Sequence, residues 1–430
     1  MAPEPDSDFD SFLLDPGLRL HVRRSRRFKS VWIDLFLPRL LRPVAATRMA
    51  LVGRLLERGT ASLPGIRQLN RHTDDLYGAV FSSQTEGMGP FQVLHLHYEA
   101  VEGAYLPGRP DLLAPGLELL GQALREPYLE GGVFPEARVE QEKESLRRSV
   151  EAMYSDRTAL AQRRCLETMC AGEAYGLAAH GDPSELCGLT GSDLLAELAG
   201  LRASAVLDLY ICGDVDVDRA ATLAEAALGW PRPDLEATPL PPVHLAGEGM
   251  RRVTERDRVA QGRMMLGYHT DVTVGGGERC RYPALALLDL IFGADQHSRL
   301  SRVVREESGM CYYITSYGEA MGGMFFVEAG VEAGDREAVG GLVREQLREL
   351  ARAGPGGAEL ERSRALARNR LDAFDDARDR LVRFDYYRRL AGADTSRRRL
   401  RQALGGVDAA AVRAEAGRLE LETDYFLAPW

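Results

Sequence analysis

Fourteen residues, Trp230 to Val243, hold five prolines in the run WPRPDLEATPLPPV, and nothing else in the 430-residue chain constrains its fold as much. Proline has no backbone donor and disfavours helix at the residue before it, so this stretch can be neither helix nor inner strand. It reads as an extended linker, 231–245, between two halves, 1–230 and 246–430. Each half is long enough to bury its own core.

Both halves open in the same way, with extended stretches, then helix, then apolar strand. In the first, strands are expected at Leu18 to Val22, Ser30 to Leu37 and Phe91 to Glu99, with Trp32, Asp34 and Phe36 on one face of the second. Helices are expected at Val44 to Arg58, Pro64 to Tyr77, Asp111 to Leu124 and Pro135 to Tyr154. Strand Val206 to Cys212 and helix Val217 to Leu228 close the half. In the second, strand Gly262 to His269 precedes helix Tyr282 to Phe292. Strands Cys311 to Tyr317 and Gly323 to Val331 follow, then helices Ala338 to Ala353 and Ala358 to Leu390. Strands alternating with blocks of helices predict an α+β fold: two similar α/β-sandwich halves, each a mostly antiparallel sheet covered by helices on one face. The duplication rests on the order of elements, not on matching residues.

Several classes fall away. No apolar run reaches the length of a membrane span; Val31 to Leu37 is interrupted by Asp34 and ends at Pro38. The opening MAPEPDSDFD has no hydrophobic signal core, and with Cys165, Cys170, Cys187, Cys212, Cys280 and Cys311 in no paired spacing, the expected setting is cytoplasmic, with these cysteines as buried small hydrophobes. A net charge of −10 argues against nucleic acid as the main partner. The basic run HVRRSRRFK, His21 to Lys29, reads as a hairpin turn, and the arginine-rich stretch Leu360 to Arg401 as a long salt-bridged surface helix. HExxH, P-loop, GxGxxG and GxSxG motifs are absent from the sequence.

The segment Arg54-Leu55-Leu56-Glu57-Arg58-Gly59-Thr60 reads as the last turn of an amphipathic helix, with Leu51, Val52 and Leu55 inward and Gly59 as terminator. Arg58 suits the negative end of the helix dipole, and Arg54 and Glu57 are spaced to pair. His95, His97 and Glu99 share one face of a strand, an arrangement that can hold a metal but more commonly forms a polar sheet face toward a solvated cavity.

This segment resembles the zinc helix of the insulinase-like (pitrilysin, M16) metallopeptidases, where an inverted HxxEH is followed by Gly-Thr. Leu63 to Gly78, LPGIRQLNRHTDDLYG, resembles that family's next helix. Gly293 to Tyr312, GADQHSRLSRVVREESGMCY, resembles its second-half signature of a loop, an LxxxVRE helix and G-x-x-Y. The flanking strands match too, so the resemblance spans the chain. Leu-Glu-x-Gly-Thr with Leu-Tyr-Gly also looks like bacterial members linked to elongation factor P modification.

In that family two histidines bind zinc, the glutamate between them is the general base, and a later glutamate is the third ligand. Here the histidine positions hold Arg54 and Arg58, and only Glu57 remains. The distal ligand falls near Arg148 or Ser149; Glu142, Glu144 and Glu151 share that helix without restoring the set. Arginine stays protonated and offers no lone pair. A guanidinium about 4 Å from a cation repels it by about 4 kcal/mol per unit charge at an effective dielectric near 20. The family's metal is therefore excluded, and no metal or catalytic residue is expected in the isolated chain.

The resemblance further implies that Arg305 and Tyr312 hold the backbone of a bound substrate; the alternative is that Arg305 pairs with Glu306 or a helix neighbour while Tyr312 fills sheet space. The implied function is the non-catalytic subunit of a heterodimeric zinc peptidase, inactive alone, helping to bind an extended peptide for an HxxEH partner that brings the zinc. A homodimeric peptide-binding pseudo-enzyme or scaffold is the alternative. A self-sufficient metalloenzyme using His95 and His97 is the third.

Overall fold

The computed structural model describes residues 8–247, 249–276, 281–393 and 396–430. They form two compact units, one from Met1–Glu151 with Leu177–Pro239, the other from Ala152–Gly176 with Leu240–Trp430.

The first unit is built on a six-stranded sheet: β1 (Asp10–Asp15), β2 (Leu18–Arg24), β3 (Ser30–Leu40), β4 (Val80–Met88), β5 (Phe91–Val101) and β6 (Leu207–Gly213), in the order β1-β2-β6-β3-β5-β4. Only β2 and β6 run parallel. The second unit is built on five strands: β7 (Arg251–Asp257), β8 (Gly262–His269), β9 (Cys311–Glu319), β10 (Met324–Val331) and β11 (Glu420–Pro429), in the order β7-β11-β8-β10-β9. There β7 and β11 are the parallel pair. Setting β1 aside, the two sheets have one topology, strand for strand, down to the single parallel pairing. The duplication expected from element order is a duplication of topology.

Alternation along the strands decides which side each sheet presents to its helices. Leu94, Leu96 and Tyr98 of β5 are fully buried on one side. There Gly116, in the helix Leu113–Arg125, lies so close to Tyr98 that a Cβ would stand 2.4 Å from the ring. The opposite side of the same strand carries His95 and His97. In the second unit the helix Tyr282–Phe292, buried almost throughout, packs into a cluster with Leu266, Tyr268, Phe325 and Val327.

Four expectations need correction. The segment Ala152–Gly176 belongs to the second unit, not to an unbroken 1–230. Its helix, Arg157–Met169, buries Ala161, Cys165 and Met169, one stripe at intervals of four. Met169 faces the bare backbone of Gly267 in β8, and Gln162 donates to Glu328 of β10 at 2.6 Å. Second, Ala358 to Leu390 is not one helix. It breaks at Ala373–Asp376 into Gly357–Asp372 and Arg378–Leu390, and a separate helix, Arg397–Gly406, follows; Arg397 reaches back to the Leu371 carbonyl and to Asp375. Third, His21 to Lys29 is not a hairpin turn, because β6 lies between β2 and β3. His21 is buried, against Ser11 and Asp208. Fourth, of the cysteines Cys165, Cys170, Cys212 and Cys311 are buried but Cys187 is exposed; Cys280 and the opening MAPEPDS lie outside the described residues.

The proline-rich stretch has no regular structure, as expected. Its start is tied to the first unit: Arg232 stacks on Trp230 at 5.0 Å, pairs with Asp15 at 3.1 Å and caps the Leu228 carbonyl at 2.8 Å. Its end is tied to the second, where His244 is buried. Among the described residues no helix is long and apolar enough to cross a membrane.

Candidate functional site

The helix Ala45–Leu56 buries Met49, Leu51, Val52, Leu55 and Leu56, so its remaining stripe sets where Arg54 and Arg58 point. It ends at Glu57, and Gly59 takes the φ of +133° that only glycine holds without strain. The helix Glu136–Ser155 supplies the facing wall. Glu142, Ser145 and Ser149 lie three and four residues apart on it, hence on one side.

The two walls are joined by the arginines. Arg54 donates from one terminal nitrogen to Ser145 Oγ and from the other to Ser149 Oγ, each at 3.0 Å. Arg58 donates through Nε to Glu142 Oε1 at 2.6 Å, and that carboxylate is only 3% exposed. Glu57 turns away from both: Oε1 accepts the Ser83 backbone N–H at 2.8 Å, tying the helix end to β4. The expected Arg54–Glu57 pair is therefore not formed, and Arg58 is a buried-pair partner before it is a helix-dipole charge. Burial raises the Glu57 carboxyl above its ordinary value, opposed by the Ser83 N–H and by Arg58.

The residues do not fit a zinc ion. Two guanidinium groups lie at the histidine positions, and the site's one buried carboxylate opposite them is already paired with Arg58. Of the two residues expected near the distal-ligand place, Ser149 faces Arg54 and Arg148 points to Glu144, and neither is a carboxylate. Glu144 is engaged by Arg147 and Arg148 together, so it offers no ligand to the site. No hydrolytic step can be written through this place.

Three comparisons bear on this geometry. A family model described as the peptidase M16 inactive domain matches residues 204–366. A Bacillus subtilis (strain 168) protein named as a probable inactive metalloprotease, YmfF, is 27% identical over 418 residues, 96% of each chain. The chain is similar to degenerate, inactive members of the M16 peptidase family. Its fold is shared with the crystal structure of a conserved protein from Enterococcus faecalis V583, at TM-score 0.89, 23% identity and 99% coverage of both chains. It also resembles a mutant of the ferredoxin protease FusC, solved in complex with Arabidopsis ferredoxin, at TM-score 0.70 and 15% identity; 98% of this chain covers 45% of that one. The Arg54–Ser149 and Arg58–Glu142 contacts are the atomic reason why this place offers no metal ligands.

In the second unit, Arg305 lies on a π-helical turn, Ser301–Glu307, and Tyr312 begins β9. Both are exposed. Arg305 makes no hydrogen bond or ion pair among the described residues, so it does not pair with Glu306. Tyr312 is 55% exposed, so it does not fill sheet space, and its hydroxyl donates to Glu332 at 2.9 Å. That hydrogen bond raises the phenol above its ordinary value.

The His95–His97 face is built differently from the expected one. The carboxylate that joins the imidazoles is Asp34 of β3, the residue opposite His97, while Glu99 accepts from Ser30 at 2.7 Å. On this face His95 is 7% exposed, while His97 and Glu99 are half-buried. Burial pushes the Asp34 carboxyl up, but the hydrogen bonds from His95 and His97 outweigh it and hold Asp34 well below the usual carboxylate range. A second polar cluster had no sequence signal beyond single residues: His244 bridges Glu173 and Glu422, 2.9 Å from each, with Cys170 Sγ 3.7 Å away. His244 lies over seventy residues along the chain from each of its partners, so no local spacing reveals the cluster.

Proposed function

We propose that this chain is the non-catalytic subunit of a two-chain M16-type zinc peptidase, working in a reducing, cytoplasmic setting. The partner carries HxxEH, the zinc and the general base; this chain supplies wall and grip for an extended peptide. The observation that supports the reading is that Arg54 and Arg58, at the places where the resemblance puts the zinc histidines, are bonded to Ser145, Ser149 and Glu142. Retention of an exposed, unpaired Arg305 beside a family signature supports a residual substrate role, since a fixed cationic donor and a phenol can hold peptide carbonyls. The ferredoxin protease neighbour is about twice this chain's length. That ratio supports a working assembly of two chains of this size.

Native mass spectrometry of the tagged chain, purified gently from its own cells, tests the reading. A one-to-one complex with an HxxEH chain is expected, and peptide cleavage by that complex but not by the isolated chain. A homodimer that binds peptides without cleaving them would replace this reading with the scaffold alternative. In the reconstituted pair, Arg305→Ala and Tyr312→Phe should each lower kcat/KM about tenfold, about 1.4 kcal/mol of transition-state binding. Full activity in both variants would remove these residues from substrate handling.

A further inference from the structure

The polar side of the first sheet gathers ligand groups that the M16 motif does not use. Asp34 lies on β3 and His95 and His97 on its neighbour β5. Asp34 Oδ1 stands 2.8 Å from His95 Nε2 and 2.8 Å from His97 Nδ1, and the three donor atoms all lie within 4.8 Å of one another. We propose that Asp34, His95 and His97 bind one divalent first-row transition ion of the zinc class, a structural centre belonging to this chain.

The donor set is the first argument. Two imidazole nitrogens and one carboxylate oxygen suit zinc and its first-row neighbours and not calcium or magnesium, and they leave a fourth position for water. Bonds of about 2.0–2.1 Å in a tetrahedron set ligand atoms about 3.3–3.4 Å apart. The present contacts need open by only about half an ångström, which side-chain rotation supplies.

The outer partners are the second argument, because ligating groups are normally oriented by a further shell of hydrogen bonds. The Trp32 indole N–H donates to Asp34 Oδ2 at 2.5 Å, which leaves Oδ1 to face the ion. Glu86 Oε1 lies 3.6 Å behind His95 Nδ1. His95 is more than nine-tenths buried, and this Nδ1 has no hydrogen-bond partner. When Nε2 holds a metal, the neutral imidazole carries its proton on Nδ1, and Glu86 becomes the acceptor that completes a carboxylate–histidine–metal relay. Phe36 stacked on His95 at 4.5 Å and Trp32 against His97 at 4.1 Å fix both rings.

Charge is the third. Asp34 and Glu86 are both carboxylates beside a mostly buried pair of imidazoles, and a divalent cation matches them in sign. The rival state is a metal-free triad in which each imidazole donates one N–H to Asp34 Oδ1. The Glu173–His244–Glu422 cluster of the second unit, with Cys170 and His269 beside it, is the competing group of ligand atoms and serves as the comparison.

The full chain, stripped with chelator, is titrated with Co2+ and Zn2+. One equivalent of Co2+ is expected to bind, with visible bands of tetrahedral nitrogen and oxygen coordination and no thiolate charge-transfer band, and Zn2+ should displace it. Zn2+ should raise the Tm of the wild type. His97→Ala should weaken binding at least a hundredfold and Glu86→Gln about tenfold, the range of an outer-shell loss. His244→Gln should leave the stoichiometry unchanged. No uptake by the stripped wild type would overturn the proposal, as would binding abolished by His244→Gln or unaltered by both His97→Ala and Glu86→Gln.

Discussion

At the scale of single residues, the exchange of histidine for arginine reverses the character of the helix end. Arg58 is now what makes the buried Glu142 carboxylate tolerable. Removing one member of such a pair strands the other, so Arg58→Ala should destabilise the fold by about 3 kcal/mol, read as a lower denaturant midpoint. Arg54 is different: it bonds two hydroxyls near the surface, and Arg54→Ala should cost under about 1 kcal/mol. Arg54→His with Arg58→His should restore neither zinc binding at the motif nor cleavage, because neither Arg148 nor Ser149, where the resemblance puts the third ligand, is a carboxylate. Zinc uptake at this place by the double variant, or peptide hydrolysis, would contradict that account. Glu57 was legible as the motif's survivor, but its partner was not; the Ser83 amide that it accepts comes from β4, twenty-six residues on.

At the scale of elements, packing overrules propensity where backbones meet. Gly116 lies inside the helix Leu113–Arg125, where alanine would ordinarily gain about 1 kcal/mol. Here the new methyl would stand 2.4 Å from the Tyr98 ring, which is fully buried and cannot retreat. Overpacking of this kind costs about 1–3 kcal/mol, so Gly116→Ala should be net destabilising in thermal unfolding; a rise in Tm would refute the packing argument. Element boundaries followed the same division. Val217–Leu228, Gly262–His269 and Tyr282–Phe292 matched their expected spans because strong apolar patterning and a clear stop coincide at each. The strands β1, β7 and β11 and the helices Arg157–Met169 and Gly191–Ser204 were not anticipated. The β7 run, RRVTERD, is an example: it is mostly exposed, and it becomes a strand because β11 offers a parallel partner.

At the scale of the whole molecule, two acids in the second unit set a pH dependence. Burial pushes Asp289 up to about 7, despite a hydrogen bond from Ser316 at 2.5 Å, and pushes Glu319 up to about 7 as well. A carboxyl whose folded pKa is raised binds its proton more tightly in the native state. The contribution of these two acids to stability is therefore fully present below the unfolded carboxylate range, about pH 4, and is lost as pH rises through about 7. Asp289→Asn removes that penalty: it should raise Tm at pH 8 relative to wild type and change it little at pH 4.5. Equal shifts at both values would show that Asp289 is not a protonated acid in the fold. The side chain borders a recess of about 290 Å³ with Tyr282, Leu285 and Phe384, which is the apolar wall responsible.

The sequence alone determined the proline-rich seam and the shared element order, because these depend on local information: prolines that forbid regular structure and periodicity over ten residues; the altered zinc motif was legible only through the resemblance to the M16 peptidases. Tertiary structure alone decided that Ala152–Gly176 joins the second unit, that Ser149 faces Arg54, and that Asp34 rather than Glu99 meets His95 and His97. Each of those pairs residues brought together by sheet register or helix docking. Such contacts are fixed by which apolar faces bury best against each other, a property of the folded core that no stretch of chain carries by itself.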